Sequence, residues 1–233
     1  MPIIAILGGL SGGKTTLATY LGALAVSIAK GEIIDKDLPI GFKIRELSRI
    51  GNKEKKTYSK DDIIVTANYL IKIDNFKFFS VDELIKLIKA IESGEEPELT
   101  NTILILDEIW AYLESRMGKS KVERLITYFI MQSAKVDVQI IYTAQLDGMA
   151  DTRLRNQPNI VKIIANNDFE EYFHYTWLTD KGVIHKRLSH KNAEKYIFPL
   201  YDTTYRIPLA TEQVKKALQE EKDTEKRLKR KRE

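Results

Sequence analysis

The sequence contains no cysteine and only three histidines among its 233 residues. The lack of cysteine excludes disulfide bonds, thiolate metal ligands and a cysteine nucleophile. The spacing of His174, His185 and His190 does not match a metal site. No apolar run reaches the roughly 18 residues that a membrane-spanning helix needs, and the first residues lack the basic segment of a signal peptide. We therefore expect a soluble, intracellular protein without direct insertion into a membrane.

The positive charge is concentrated at one end of the chain. Seven of the 37 basic residues but only three of the 33 acidic residues lie at positions 222–233, so the rest of the chain holds equal numbers of both signs. The end of this segment is the basic run from Lys226 to Arg232. Such a run is typical of segments that bind nucleic acid or another anionic surface, and equally of solubilising helical extensions. The sequence favours neither interpretation.

Short apolar runs rich in β-branched residues alternate with amphipathic segments. The runs predict buried strands at 2–7, 102–106, 138–143 and 159–165, and one or two further strands over 63–73. Helical periodicity and a capping box at Ser80 and Glu83 predict helices at 14–30, 81–92 and 119–134. Alternating aromatic and polar residues predict a β-hairpin over 170–188. We expect an α/β fold with a mostly parallel sheet and helices on both faces, divided into one domain over 1–210 and a charged helical tail over 211–233.

The segment between the first strand and the first helix matches the pattern G-x-x-x-x-G-K-[ST] without a gap. It reads Gly8-Gly9-Leu10-Ser11-Gly12-Gly13-Lys14-Thr15. Glycines let backbone N–H groups wrap closely around a β-phosphate, and the helix N-terminus favours negative charge. Lys14 is expected to bridge the β- and γ-phosphates, Thr15 to ligate Mg²⁺, and Thr16 to reach the α-phosphate. The sequence therefore predicts a P-loop that binds a nucleoside triphosphate with Mg²⁺.

Polar side chains follow two further predicted strands. Asp107 and Glu108 end the strand at 102–106. Asp107 would hold the Mg²⁺ shell and Glu108 would act as general base or orient the attacking water, the alternative being a simple acidic N-cap. The pair favours hydrolysis over transfer to a metabolite, because a small-molecule kinase has less need of a water activator. Gln145 follows the strand at 138–143, where it would contact the γ-phosphate or the water unless it is a loop residue with no role.

These residues together resemble the HerA–FtsK superfamily of P-loop ATPases, above all its viral genome-packaging and Zot-like branch. The resemblance rests on the P-loop, Asp107-Glu108-Ile109-Trp110, the strand ending at Gln145, the stretch 147–156 and the run 199–203. It implies a RecA/ASCE-like fold, ATP as the nucleotide, and a homo-oligomeric, usually hexameric ring that moves double-stranded DNA of any sequence through its centre. It further implies a capsid or portal protein as partner, and a location in the cytoplasm (that of the host for a virus) or in the virion.

The resemblance also implies a basic residue that acts on the site of the neighbouring subunit. In many members, an Arg-Lys pair ends the helix that precedes the strand leading to the glutamine. At the corresponding place, before the strand that leads to Gln145, this sequence has Ala134-Lys135. We expect Lys135 to be this trans finger, with Arg155 as second candidate and Arg116 and Arg153 as further ones. A lysine provides a point charge rather than a bidentate fork, so its stabilisation of the transition state would be weaker.

Two basic segments are candidates for contact with DNA phosphates, Lys43–Lys60 and Lys226–Arg232. The aromatic residues between Tyr172 and Trp177 are interpreted as hairpin packing rather than as a base-stacking surface. Other functions are a Zot-like ATPase in virion assembly or extrusion and a small-molecule kinase, although the sequence shows no arginine-rich lid. A partitioning ATPase is disfavoured, because Gly9 stands where that class needs a lysine.

Overall fold

The computed structural model describes residues 3–29, 63–95, 99, 101–109, 128–130, 133, 138–149, 155–156, 160–179 and 182–204. The strands in this part of the chain are β1 Ile3–Leu7, β2 Ile64–Ala67, β3 Phe76–Phe78, β4 Thr102–Leu106, β5 Val138–Ala144, β6 Ile160–Asn167, β7 Tyr172–Thr179 and β8 Gly182–Ser189. The α-helices are α1 Lys14–Ala29, α2 Val81–Ser93 and α3 His190–Tyr196, and 3-10 turns occur at Asp147–Met149 and Phe198–Leu200. Among the described residues, no helix has both the length and the hydropathy to cross a membrane.

The strands form one sheet in the order β3-β2-β4-β5-β1-β6-β7-β8. β1 pairs in parallel with β5 on one side and β6 on the other, and β5 also pairs in parallel with β4. β7 and β8 complete the sheet as an antiparallel hairpin. The carboxyl ends of β1, β4 and β5 therefore lie side by side, at the edge where parallel sheets bind ligands. The predicted α/β fold, with its mostly parallel sheet and C-terminal hairpin, is confirmed.

β1, β4 and β5 are buried along their whole length, because helices cover both faces of the sheet. α1 packs Leu17 and Leu21 into the core on one face, where Ala193 of α3 also lies. α2 packs Leu84 and Leu87 into the core on the other face. Burial of a leucine side chain stabilises the fold by about 1.5–3 kcal/mol. In α2 the apolar stripe determines which side of the helix faces the sheet, whereas α1 is buried on all sides over residues 16–22.

The ends of α2 follow the predicted signals. Ser80 Oγ accepts a hydrogen bond of 3.2 Å from the backbone N–H of Glu83. Gly94 follows the helix with a φ of +77°, in the left-handed region that closes many helices. The N-cap Ser80 and the terminating glycine are confirmed, whereas the Glu83 carboxylate pairs with Lys77 and Lys86.

Two elements are not predicted from the sequence. β3 has only three residues, too few to show an alternating pattern. α3 is capped by Ser189, which accepts the N–H of Asn192 at 3.2 Å, but its buried residue is Ala193 and it carries no apolar stripe. The helix predicted at 119–134 lies largely outside the described residues, as do the basic segment 43–60 and the tail 211–233 entirely. The division into a domain at 1–210 and a tail stays a prediction.

Candidate active site

The P-loop connects β1 to α1 and is packed tightly against its neighbours. The N–H of Gly8 donates to the carbonyl of Ala144 at 3.2 Å, which continues the pairing of β1 with β5 into the loop. A Cβ atom at Gly8 would collide with the carbonyl oxygen of Ala165 on β6. Gly13 has a φ of +81°, and a Cβ there would lie 2.5 Å from the ring of Phe173. Only glycine fits at position 8, because a Cβ atom has no space there. Position 13 also needs glycine, both for space and for its positive φ.

The hairpin side of the sheet holds the loop in place. The hydroxyl of the fully buried Tyr175 donates to the carbonyl of Gly13 at 3.0 Å. The side-chain amide of Asn167 donates to the carbonyl of Ser11 at 3.2 Å. Burial raises the pKa of Tyr175 well above its ordinary value, so the hydroxyl stays protonated and keeps donating. The aromatic residues of the hairpin thus pack as predicted, but Tyr175 also supports the P-loop, a role that the sequence does not reveal.

Lys14 opens α1 with its ammonium group directed at the loop. The side chain is only 6% exposed, and Nζ donates to the carbonyl of Gly9 at 2.8 Å. A backbone carbonyl is a neutral acceptor, so this contact does not neutralise the ammonium group in the way a carboxylate would. Lys14 is therefore placed to bind a phosphate group enclosed by the loop.

Thr15 and Asp107 meet across the site. Thr15 Oγ1 lies 3.0 and 2.9 Å from the two carboxylate oxygens of Asp107, whose side chain is nearly buried. Burial raises the pKa of Asp107, and the hydrogen bonds from Thr143 and Thr15 oppose that rise. A hydroxyl and a carboxylate side by side are hard oxygen donors of the kind that Mg²⁺ takes, together with substrate phosphates and water. The residues present therefore fit Mg²⁺.

Neighbouring strands fix the position of the two acidic residues. Thr143 Oγ1 on β5 donates to Asp107 Oδ1 at 2.6 Å and accepts the backbone N–H of Glu108 at 2.8 Å. The buried amide of Asn68, directly after β2, donates to the carbonyl of Asp107 at 2.8 Å and accepts its N–H at 2.9 Å. Neither Thr143 nor Asn68 is predicted from the sequence to belong to the site. Asn68 is a polar residue just beyond a buried strand, which is the same pattern that predicts a role for Gln145, so this pattern could have indicated Asn68.

Glu108 and Gln145 occupy the carboxyl edge of the sheet. Glu108 is half-buried and has a φ of +52°, a left-handed conformation that costs a non-glycine residue about 1–3 kcal/mol and is concentrated at functional sites. Gln145 is half-buried beyond β5, the strand between β1 and β4, as the sequence predicts. It is not among the described residues that line the cavity at this edge.

A cavity of about 430 Å³ is lined by the P-loop and by the acidic pair. Its volume lies within the size range of small-molecule sites. Its walls include the loop residues 10–16, the acidic pair Asp107 and Glu108, and three aromatic residues from the later chain, Phe173, Phe198 and Tyr201. The fold therefore brings Lys14, Thr15, Thr16, Asp107 and Glu108 to the wall of one cavity.

Of the four candidates for the trans finger, only Arg155 belongs to the part of the chain that the structure describes. Arg155 is described but does not line the cavity; its charge acts on the buried Tyr142, opposing the rise in pKa that burial causes there. Lys135, Arg116 and Arg153 lie outside the described residues. Their assignment stays a prediction.

No protein-family model matches this chain, and no curated protein matches its sequence. Among solved structures, the N-terminal domain of zonular occludens toxin from Neisseria meningitidis is similar with a TM-score of 0.51 and 15% identity, covering 87% of this chain and 100% of that one. The genome packaging NTPase B204 from Sulfolobus turreted icosahedral virus 2, in complex with ATP-γS, gives a TM-score of 0.41 and 8% identity, covering 79% of this chain and 96% of that one. EssC (ATPases 2 and 3) from Geobacillus thermodenitrificans gives 0.42 and 12% identity, covering 96% of this chain and 44% of that one.

The similarity to the zonular occludens toxin domain extends over that whole domain. It confirms the predicted P-loop NTPase fold. At 15% identity the shared property is the fold.

Proposed function

We propose that this chain is a Mg²⁺-dependent ATPase that uses hydrolysis to move double-stranded DNA, in the role of a viral genome-packaging motor. The observation that carries the proposal is the meeting of Thr15 with the Asp107 carboxylate at 2.9 and 3.0 Å, in a cavity that Lys14 and Glu108 also line. This arrangement supplies a cation that can bind phosphate, a pair of oxygen ligands for a metal, and a carboxylate beside them.

Each residue has a defined task in this proposal. Lys14 and the N–H groups of the loop hold the β- and γ-phosphates, and Thr15 with Asp107 holds Mg²⁺. The metal, when bound, neutralises charge that develops on the transferred phosphoryl group. Glu108 Oε accepts a proton from the attacking water, and its backbone is fixed for this by the hydrogen bond to Thr143. Gln145 contacts the γ-phosphate or the water in this proposal only if its side chain turns from its present position toward the cavity, which it does not line.

The motor role requires a partner subunit and a DNA surface. We propose a homo-oligomeric ring, usually a hexamer in this family, with Lys135 reaching the site of the next subunit and Arg155 as second candidate. The basic segments 43–60 and 226–232 would contact DNA phosphates without regard to sequence. Such a motor works in the host cytoplasm, with a capsid or portal protein as its docking partner, and stays with the virion in some systems.

A Zot-like ATPase of virion assembly or extrusion is the second candidate. The observation that favours it is the similarity to the zonular occludens toxin domain over its whole length. The two candidates share the ATPase site and differ in whether duplex DNA is the moving substrate.

ATP turnover by the purified full chain, measured with and without linear duplexes of unrelated sequence, tests the proposal. We expect hydrolysis that requires Mg²⁺ and rises with either duplex, and displacement of a third strand from the duplex as evidence of movement. Lys14→Ala should lose nucleotide binding. Glu108→Gln should keep binding and lose about 10²–10⁴-fold in turnover, because an amide cannot accept the proton.

The outcomes separate the candidates. If ATP turnover does not change when duplex DNA is added, and no third strand is displaced, translocation is contradicted and the assembly role is favoured. Hydrolysis by Glu108→Gln at the wild-type rate would show that Glu108 is not the base. Transfer of phosphate to a small metabolite rather than to water would identify a kinase.

A further inference from the structure

The phosphate chemistry leaves part of the cavity wall unexplained. Phe173, Phe198 and Tyr201 line the cavity, and their rings have no evident task in holding a phosphate or a metal. These rings are in contact, with centroids 6.4 Å apart between Phe173 and Phe198 and 6.3 Å apart between Phe198 and Tyr201. These three rings form one contiguous part of the cavity wall, next to Asp202 and Thr203, which follow Tyr201 in the chain and also line the cavity.

The order of strands indicates which part of a nucleotide faces these rings. The acidic pair follows β4, on one side of β1, whereas Phe173 belongs to β7 on the other side. The γ-phosphate must lie near Glu108 for hydrolysis, so the rest of the nucleotide extends away from β4. Thr16 Oγ1 lies 2.9 Å from the hydroxyl of Tyr201, which places Tyr201 directly beside the start of α1. A nucleoside attached to the phosphates would reach these rings.

Phe198 differs from the other two rings in its exposure. Phe173 and Tyr201 are only 6% and 8% exposed, and the hydroxyl of Tyr201 is held by Thr16. Phe198 is half-buried, and the planes of its two neighbours are inclined to it by 71° and 84°, so neither is stacked flat on it. Among the described rings that line the cavity, Phe198 is the least buried and so has the most surface left for a flat partner.

The segment that carries Phe198 is held in place before any ligand binds. It opens the 3-10 turn Phe198–Leu200, and the carbonyl of Leu200 accepts the N–H of Lys72 at 2.6 Å. Tyr201 forms an antiparallel bridge with Ile71. A ring on such a support loses little freedom on binding, which favours affinity.

We propose that Phe198 is the platform on which the nucleobase stacks, and that the site recognises the base by its flat face rather than by its edge. The inference rests on the proposed nucleotide-binding function and names the subsite for the nucleoside. Stacking on an aromatic ring is worth about 1–3 kcal/mol per base and tolerates any base, since each has a π-face. The site should therefore accept adenine and guanine nucleotides with similar affinity, and both much better than inorganic triphosphate.

Calorimetric titration of the full chain with AMPPNP, GMPPNP and inorganic tripolyphosphate, each with Mg²⁺, tests this. Phe198→Leu keeps apolar volume but removes the ring, so it should weaken both nucleotides about 5- to 140-fold, the stacking free energy converted at 1.4 kcal/mol per tenfold. Its affinity for tripolyphosphate should not change. Phe198→Tyr, which keeps the ring, should bind like wild type. Phe169→Leu is the matched control, because Phe169 is 73% exposed and does not line the cavity.

Three results would overturn the inference: wild-type nucleotide affinity in Phe198→Leu, an equal loss for tripolyphosphate, or a wild-type preference of tenfold or more for one purine. Thermal unfolding of each variant reports on its fold. Failure of the wild-type chain to bind any of the three ligands would instead contradict the proposed function. Binding that Lys14→Ala abolishes and Phe198→Leu spares would preserve the function and reject the stacking platform.

Discussion

Thr143 and Asp107 share a hydrogen bond of 2.6 Å that joins the end of β5 to the end of β4. The same hydroxyl accepts the backbone N–H of Glu108, so one buried side chain holds both acidic residues of the site. The two contacts link Asp107, the proposed metal ligand, to Glu108, the proposed base. A shift of either strand would move both groups together.

Thr143→Val should lower kcat for ATP about tenfold or more, because a hydrogen bond to a charged group is worth about 1.5–3 kcal/mol and valine keeps the shape without the hydroxyl. KM for ATP should change less, since the P-loop is untouched. Thr143→Ser keeps the hydroxyl and should retain most of the activity. Steady-state kinetics over a Mg²⁺ series would check this, and equal kcat values for the valine and serine variants would contradict the positioning role.

Sequence reasoning finds the parts of this site that are local in the chain. The P-loop is a continuous pattern between a buried strand and a helix, and Asp107-Glu108 ends an apolar run, so both can be read from a few neighbouring residues. Thr143, Asn68 and Tyr175 are different. Each reaches the site across 36 to 162 positions of chain, through strand pairings whose register no local pattern specifies.

Asp168 in the turn between β6 and β7 gives the fold a pH-dependent contribution. Its Oδ1 accepts the N–H groups of Glu170, Glu171 and Tyr172, and its Oδ2 lies 3.0 Å from His174 Nε2. The N–H of Tyr172 contributes most to holding the pKa of Asp168 well below its usual range, followed by His174. A carboxyl whose pKa is lower in the folded state stabilises above its unfolded pKa of about 3.9, and the benefit is lost as the pH falls below that value.

Asp168→Asn should therefore lower the Tm at pH 7 and differ less from wild type at pH 3 and below. The amide can still accept backbone N–H groups, so the difference reports on the charge. Thermal unfolding between pH 2 and pH 7 measures it, with Glu194→Gln on the exposed side of α3 as control for net charge. A Tm difference that stayed constant over this range would show that the charge contributes nothing.

Removal of residues 222–233 should weaken binding to duplex DNA and flatten its dependence on salt. The log–log salt slope falls by about 0.9 for each DNA phosphate that the shortened chain no longer neutralises. Binding isotherms at several salt concentrations measure the slope, and ATP turnover without DNA controls for folding. An unchanged slope would assign the DNA contact to the segment 43–60 or show that the tail serves a protein partner.

Lys135 can be tested by mixing two inactive variants, Glu108→Gln and Lys135→Ala. If Lys135 acts on the neighbouring subunit, mixed rings contain some interfaces with one intact Glu108 and one intact Lys135, and activity should return. Such fingers are worth about 10³ or more in rate, so the recovery would be measurable. If mixtures that exchange subunits show no ATPase activity, Lys135 does not act in trans. If Lys135→Ala alone hydrolyses ATP at the normal rate, Lys135 is not the trans finger. The same mixture with Arg155→Ala tests the second candidate.

Thr203 belongs to the cavity wall, and the basic segment 222–233 follows further along the same chain. At about 3.3–3.6 Å per extended residue, the 19 residue steps from Thr203 to Lys222 span at most roughly 70 Å. A polyanion bound by this segment, as proposed, would therefore be confined to a small volume around the cavity of the same chain, and its effective concentration there would far exceed that in solution. The position of Thr203 thus sets an upper limit on the distance between the cavity and the start of the basic segment.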